Sequence, residues 1–273
     1  MRKLRYKLIV SDLDGTLLNN KVEITERTVR AIARYHEAGG NFSFATGRTE
    51  ESARVFAEKA GVKIPGISFN GGKVVNLADR RVIHESFLDA EPAIKALHAL
   101  RAYKKDVIVY LDKYRYVAEY TPVIDKYVGR IRHGVHFTDD IGRVIGDGRT
   151  LKKLLIIDPR QEEKLFLETV RPIFGDRLNF VKSDPEYFEL MPPDTSKGRA
   201  LAILAAHLGV APGETAAVGD HLNDISMLRE AGLGVAVANA VPETLAAADY
   251  ITASNNDDGV ALFIEKLLDG DLP

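Results

Sequence analysis

The sequence predicts an α/β protein: a doubly wound parallel sheet with an α+β block inserted into it. Three observations carry that expectation. Apolar strand-like runs alternate with amphipathic helix-like runs from Leu8 to Asn76, a tyrosine-rich block of different texture follows, and the alternation resumes after Met191-Pro192-Pro193.

The first strand is the apolar run Leu8-Ile9-Val10. Thr25 is placed to N-cap a helix whose apolar face takes Val29, Ile32 and Ala33, with Gly39-Gly40 to end it. His36 falls on that face and reads as a satisfied core histidine. A strand from Asn41 to Ala45 delivers Thr46-Gly47-Arg48. A second helix runs from Glu50 to Ala60 and stops at Gly61, and Gly66 to Phe69 is the next strand. Asn70-Gly71-Gly72 is a strong hairpin signal before the strand Lys73 to Asn76.

Residues 84–189 read as the inserted α+β block, and residues 1–83 and 190–273 as the core. Strand candidates in the block are Val107 to Leu111, Arg115 to Ala118, Leu154 to Ile157, Leu178 to Val181 and Tyr187 to Leu190. Helices are expected near Glu91 to Tyr103 and Glu162 to Ile173. The basic group Arg130, Arg132, His133 and His136 reads as a solvated face rather than an anion site. After the block come a helix from Gly198 to Leu208 closed by Gly209, a strand ending at Val218, a helix from Asn223 to Ala231, a strand from Gly234 to Val237 and a last helix near Gly259 to Leu268.

With 37 basic and 39 acidic residues among 273, the formal charge is −2, so no global field favours nucleic acid or an anionic membrane. The expected partner is small. The chain has no cysteine, which excludes disulfides, thiolate catalysis and zinc-cysteine sites and suits a reducing cytoplasm. Met1 to Tyr6 is basic, but the apolar stretch after it stops at Val10, too short for a signal peptide. No segment approaches the roughly 18 apolar residues of a membrane span. A soluble, cytoplasmic protein is expected.

Four short stretches carry the chemistry: Asp12-Leu13-Asp14-Gly15-Thr16, Thr46-Gly47-Arg48, Ser196-Lys197-Gly198 and Gly219-Asp220-His221-Leu222-Asn223-Asp224. The first and last follow buried-strand patterns, Leu8-Ile9-Val10 and Ala216-Ala217-Val218. In open parallel sheets, ligands bind beyond the carboxyl ends of strands. Carboxylates are costly to bury unpaired, so acidic pairs there call for a cation, and a hard divalent ion such as Mg²⁺ is the natural candidate.

These residue types suit phosphoryl transfer. A carboxylate attacking a phosphate ester approaches an anion, which a metal ion or nearby cations must make tolerable. Asp12 suits the nucleophile, forming an aspartyl-phosphate. Asp14 can protonate the leaving alkoxide and then activate water, with Gly15 turning the backbone sharply after it. Thr46 offers a hydroxyl and Lys197 a cation beside a helix start. Asp220 and Asp224 add carboxylates for the ion, and Asn223 can hydrogen-bond a ligand or orient a neighbour. Arg48, opening a helix, can pair with a neighbouring acid as readily as act in catalysis.

In these motifs the chain resembles the haloacid dehalogenase superfamily, in particular its Cof-type phosphatases with a C2-type (IIB-like) cap. The four motifs occur in order, together with the Asn70-Gly71-Gly72 turn, Glu189-Leu190-Met191 ahead of Ser196, Gly234-Val235-Ala236-Val237 followed by Asn239-Ala240, and Asn255 to Gly259. The resemblance implies a Rossmann-like core and an inserted cap that selects the leaving group. It implies Asp12 as nucleophile, Asp14 as general acid and base, and Thr46 and Lys197 as phosphate ligands. Mg²⁺ would be held by Asp12, the carbonyl of Asp14 and Asp220, with Asp224 supporting, while Gly47, Asn70, Gly71 and Asn223 would line the phosphate end. Family members act on small phosphorylated metabolites such as sugar phosphates, pyridoxal phosphate or flavin mononucleotide.

Two positions depart from the family pattern: His221, where relatives more often carry a small or acidic residue, and Val237, where methionine is common. His221 either touches substrate or tunes Asp220, or is a loop histidine packed beside the site. The expected activity is a Mg²⁺-dependent phosphomonoesterase. A phosphotransferase or phosphomutase of the same fold is the alternative, and a binding protein without turnover is opposed by the intact Asp12, Asp14 and Lys197.

Overall fold

The computed structural model describes residues 4–102, 105–111, 114–131, 134–146, 151–158, 168, 171–172 and 174–272. They form two compact units, Met1–Glu85 with Ser196–Pro273, and the inserted Ser86–Thr195.

In chain order the first unit opens with β1 (Leu8–Ser11), α1 (Glu26–Glu37), β2 (Asn41–Phe44), α2 (Glu50–Lys59), β3 (Gly66–Ser68), β4 (Lys73–Val75) and β5 (Val82–Glu85). The inserted unit contributes α3 (Ala90–Ala102), β6 (Asp106–Leu111), β7 (Tyr114–Val117), α4 (Pro122–Ile131), β8 (Val135–Phe137), α5 (Ile141–Gly146), β9 (Leu151–Ile157), β10 (Asn179–Asp184) and β11 (Tyr187–Met191). The first unit resumes with α6 (Lys197–His207), β12 (Thr215–Gly219), α7 (Ile225–Glu230), β13 (Leu233–Val237), α8 (Pro242–Ala247), β14 (Tyr250–Thr252) and α9 (Gly259–Asp269).

The core sheet has the order β14-β13-β12-β1-β2, with every neighbouring pair parallel. Each residue of β1 is buried because both faces are covered. Ile9 joins a cluster with Ile32 and Tyr35 of α1 and Phe263 and Ile264 of α9. Leu8 and Val10 point to the other face, against Leu201 and Leu204 of α6 and Met227 of α7. β12 repeats the alternation, with Ala216 and Val218 on the first face and Ala217 on the second. The chain leaves β1 toward β2 and returns after the insertion to β12 on the other side, so the carboxyl ends of β1 and β12 flank the switch point of the sheet.

Thr25 caps α1 as expected, its hydroxyl accepting from the Thr28 N–H at 3.2 Å and donating to Asp258 at 2.6 Å. The buried face of α1 is Thr28, Ala31, Ile32 and Tyr35, not the expected Ala33, which is exposed. Spacings of three and four set that stripe, and Ala33 falls one residue, about 100°, beyond Ile32. Val29 packs at its margin. His36 is half-buried and only half satisfied: Nδ1 lies 3.0 Å from the Gly40 carbonyl, while Nε2 has no partner among the described residues.

The hairpin at Asn70-Gly71-Gly72 forms, pairing β3 with β4 antiparallel. The loop is one 3₁₀ turn, Phe69–Gly71, with Phe69, Asn70 and Gly71 all at positive φ (52°, 51° and 101°). β5 adds a third strand through a turn in which Asn76 and Asp79 side chains accept the N–H groups of Ala78 and Arg81.

The inserted unit is a six-stranded sheet, order β10-β11-β9-β6-β7-β8, antiparallel except between β7 and β8. Leu97 and Leu100 of α3 and Ile141 and Ile145 of α5 cover Val109, Leu111, Leu154 and Ile156. The unit also holds buried polar groups: Lys153 pairs with Glu189 at 2.8 Å, Ser183 donates to Glu189 at 2.8 Å, and the Tyr110 and Tyr127 hydroxyls are 2.7 Å apart. α4, β8 and α5 had no counterpart among the expected elements, nor had α8 and β14. Most of the helix expected at Glu162 to Ile173, and Arg132 and His133, lie outside the described residues. Among the described residues, no helix is long and apolar enough to cross a membrane.

Replacing Thr25 with Ala removes the α1 cap and its bond to Asp258 together. A loss of about 1 kcal/mol is expected, read as a lower urea midpoint at unchanged slope.

Candidate active site

Four strand and helix ends of the first unit converge. β1 ends at Ser11, and Asp12 is fixed by its N–H donating to the Val218 carbonyl at 2.8 Å, which locks the first acid to the end of β12. α6 begins at Ser196, whose hydroxyl accepts from the Arg199 N–H, and so presents Lys197 on the first turn. Lys197 is buried, and its Nζ donates to Asp12 Oδ1 at 2.7 Å and to Asp224 Oδ1 at 2.5 Å. Asp224 is fully buried, and its other oxygen accepts from the N–H groups of Asp220 and His221 at 2.9 and 3.0 Å, closing the loop after β12. Asp220 completes the group, its Oδ1 accepting from the Thr16 hydroxyl at 2.6 Å.

Gly71 joins α6 to the hairpin. A Cβ there would collide with the Ser196 carbonyl, and the φ of 101° is itself strained for any other residue. The Asn70 N–H donates to the Thr46 carbonyl at 2.9 Å, and Asn70 Oδ1 accepts from Asn223 Nδ2 at 3.0 Å, which ties the hairpin to the loop after β12. Gly47 lies beside the Asn70 amide. The Thr46 hydroxyl accepts from the Arg48 N–H at 3.1 Å, so its own proton can be offered to a ligand oxygen. Gly15, at φ 78°, turns the first motif back over Asp220, where a Cβ would meet the carboxylate.

The electrostatics are unbalanced. Three carboxylates, Asp12, Asp220 and Asp224, offer oxygens within 4.8 Å of one another, and one ammonium faces them, a formal excess of two negative charges. Burial pushes Asp12 well above the usual carboxylate range; Lys197 pulls it down, and the charges of Asp224, Asp220 and Asp14 add to the rise. Asp220 is pushed up to about 7, by burial first and by Asp224 second. Burial alone would lower Lys197, but Asp12 and Asp224 outweigh it and raise it. An all-oxygen donor set with surplus negative charge fits a hard divalent cation, so Asp12, Asp220 and Asp224 could hold one.

Asp12, Lys197, Asp220 and Asp224 are therefore brought together, and Thr46, Gly47, Asn70, Gly71 and Asn223 adjoin one another. The Asp14 side chain stands outside the three-acid group: it is exposed, with both oxygens on Arg48. Three further contacts went unassigned in the sequence: Thr16 on Asp220, Arg48 on Asp14, and Asn239, whose Nδ2 donates to the Gly15 carbonyl at 2.8 Å while its Oδ1 accepts from the Asn255 N–H at 2.8 Å. Thr16 and Arg48 lie within the motifs at residues 12–16 and 46–48, where a hydroxyl or guanidinium beside acidic loop residues is the sequence signal.

Residues 9–264 match the family model of haloacid dehalogenase-like hydrolases. Among curated relatives, 5-amino-6-(5-phospho-D-ribitylamino)uracil phosphatase YcsE of Bacillus subtilis is 30% identical over 259 residues, covering 93% of this chain and 93% of the relative. Among solved structures, a haloacid dehalogenase-like hydrolase from Bacteroides thetaiotaomicron matches with a TM-score of 0.84 at 30% identity, over 96% of this chain and 99% of that one. A sugar phosphatase of haloacid dehalogenase subclass IIB shares the fold, with a TM-score of 0.82 at 23% identity, over 95% of this chain and 98% of that one.

Because Asp220 is raised above its ordinary 3.8, the folded protein holds that proton more tightly than the unfolded chain. Its stabilisation is complete at low pH and is lost as pH climbs from about 4 to about 7. A cation needs the ionised carboxylate, so its affinity should strengthen over the same window. Titration calorimetry with a divalent ion should show this, and a pH-independent affinity would contradict it. Lys197→Met leaves Asp12 and Asp224 buried without their cation. In EDTA it should lose about 3–5 kcal/mol on chemical denaturation, part of it recovered by a divalent ion.

Proposed function

The chain belongs to the haloacid dehalogenase-like hydrolase family, and from that premise we propose that it is a Mg²⁺-dependent phosphomonoesterase of small phosphorylated metabolites, acting through an aspartyl-phosphate on Asp12. One observation carries this reading: a buried aspartate at the end of β1, 2.7 Å from a buried lysine and grouped with two further carboxylates. A buried carboxyl group held against a fixed cation is placed for attack on phosphorus.

In the first step an Asp12 carboxylate oxygen attacks phosphorus as the bond to the alcohol oxygen breaks, and that oxygen takes the proton carried by Asp14. In the second, Asp14, now a carboxylate, takes a proton from water as the water oxygen attacks phosphorus. The bond to Asp12 breaks, inorganic phosphate leaves and the carboxylate of Asp12 is restored. Lys197 and the Thr46 hydroxyl stabilise negative charge on the transferring oxygens, and Gly47, Asn70, Gly71 and Asn223 line the phosphate end. Asp12, the Asp14 carbonyl and Asp220, with Asp224 supporting, would hold Mg²⁺, which would supply the positive charge that lets one anion approach another.

Substrates of the sugar phosphate, pyridoxal phosphate or flavin mononucleotide class are supported by the name of the Bacillus subtilis relative, which acts on a phosphorylated ribityl chain. The inserted unit is assigned the choice of leaving group. Its buried Lys153–Glu189 pair and paired tyrosines give it polar groups that core packing alone does not require.

Phosphate release should be measured over a panel of ribose 5-phosphate, glucose 6-phosphate, pyridoxal phosphate, flavin mononucleotide and p-nitrophenyl phosphate. With Mg²⁺ the wild type should release phosphate, EDTA should abolish release, and Asp12→Asn should fall to background. Activity surviving Asp12→Asn would move the nucleophile elsewhere. Appearance of a phosphorylated acceptor with little free phosphate would make the protein a transferase.

A further inference from the structure

Among the described residues, Arg48 contacts both oxygens of Asp14. Arg48 Nε donates to its Oδ2 at 2.7 Å and Arg48 Nη2 to its Oδ1 at 2.6 Å, a two-pronged contact between motifs on different strand ends. The guanidinium is itself held in place. Nη1 reaches Ser52 Oγ at 3.4 Å, and the guanidinium carbon lies 4.8 Å from the centre of the Phe56 ring, both partners on α2. The Arg48 backbone is pinned by Thr46 Oγ1 and by the Phe69 N–H. The Asp14 backbone is fixed as well, through its bridge to Leu18 and the Asn239 bond to the Gly15 carbonyl. Its side-chain torsions are what remain for Arg48 to set.

The pair is too exposed to matter much for stability. The Asp14 and Arg48 side chains keep 53% and 25% of their accessible surface, and solvent screens a pair so exposed. Its consequence is direction, because a planar fork fixes a carboxylate where a point charge would not.

We propose that Arg48 is a positioning residue for Asp14, holding the carboxylate in the orientation from which it exchanges a proton with the leaving oxygen and then with water. This rests on the assignment of Asp14 as general acid and base. Each carboxylate oxygen has two lone-pair sites, so both contacts with Arg48 leave a site on each oxygen for the proton. The competing role for Arg48 is a direct ligand of the substrate phosphate.

The two roles separate by leaving group. Alcohols must be protonated as they depart, whereas p-nitrophenolate leaves without a proton. The measurement is kcat/KM, which ends at departure of the alcohol, for the fastest alkyl ester of the panel and for p-nitrophenyl phosphate. It compares wild type, Arg48→Lys, Arg48→Gln, Asp14→Asn and the double variant Arg48→Lys/Asp14→Asn, with thermal midpoints recorded for each. Arg48→Lys should lower kcat/KM for the alkyl ester by about 10²-fold, the scale of a misplaced catalytic group, and for p-nitrophenyl phosphate by less than about threefold. On the Asp14→Asn background Arg48→Lys should have less than about a threefold further effect.

Equal losses on both esters, or a loss that persists on the Asp14→Asn background with a raised KM, would make Arg48 a phosphate ligand and overturn the proposal. If Asp14→Asn itself leaves the alkyl ester unaffected, the acid–base assignment fails first, and the role of Arg48 falls with it. If Arg48→Lys proves unstable, Arg48→Gln decides between these outcomes by the same ratio.

Discussion

The surplus of carboxylates at the carboxyl ends of β1 and β12 is the constraint on which the rest of the site depends. Asp12 and Asp224 are buried, Asp220 is mostly so, and among the described residues Lys197 is the cation that contacts them. Such a group would be intolerable without compensation, and each local feature supplies some. Backbone N–H groups of Asp220 and His221 solvate one oxygen of Asp224, and the Thr16 hydroxyl solvates Asp220. The rise of Asp12 and Asp220 above the ordinary carboxylate range measures what these contacts leave uncompensated. A divalent cation would offset that remainder, so the imbalance that weakens the fold is also what suits the three carboxylates to holding one.

That arrangement requires close backbone approach. Lys197 can reach two acids only if α6 starts hard against the β3–β4 hairpin, and the hairpin can lie there only because Gly71 has no side chain. The neighbouring Phe69 and Asn70 are held at positive φ, a conformation costly for residues with a Cβ. The strain places the Asn70 side chain against Asn223, so two loops that share no sheet contact of their own are joined there. Backbone strain here sits beside the chemistry, where packing over-determines it.

Local patterns in the sequence revealed the elements that hold the site, and distance in the chain hid the contacts between them. Alternating apolar runs marked β1, β2, β12 and β13, and a threonine before an amphipathic run marked the start of α1. Asn70-Gly71-Gly72 marked the hairpin, because these signals act over a few residues. Ala33 was misplaced since two stripes a residue apart look alike until Tyr35 shows which way the helix faces. α4, β8, α5, α8 and β14 are ten residues or shorter, and their stabilisation comes from neighbours rather than from a period of their own. At the site, Asp12, Lys197, Asp220 and Asp224 were recognisable as chemistry-bearing residues. The partner of Arg48 was not, because Arg48 and Asp14 are 34 residues apart and meet only once β1 and β2 pair in register.

That pairing explains why an insertion of more than a hundred residues is compatible with the chemistry. Every residue named in the site belongs to Met1–Glu85 or Ser196–Pro273, and none to the inserted unit. The parallel register of β1 with β2 on one side and β12 on the other sets the loop ends of all three strands side by side. Lys197 enters through a helix whose Gly198 packs directly on the Ser226 backbone of α7, a contact internal to the same unit. Asp12, Lys197, Asp220 and Asp224 are thus held by contacts within one unit. Substitutions within Ser86–Thr195 leave the Asp12–Lys197–Asp224 contacts in place, because none of those contacts passes through that unit.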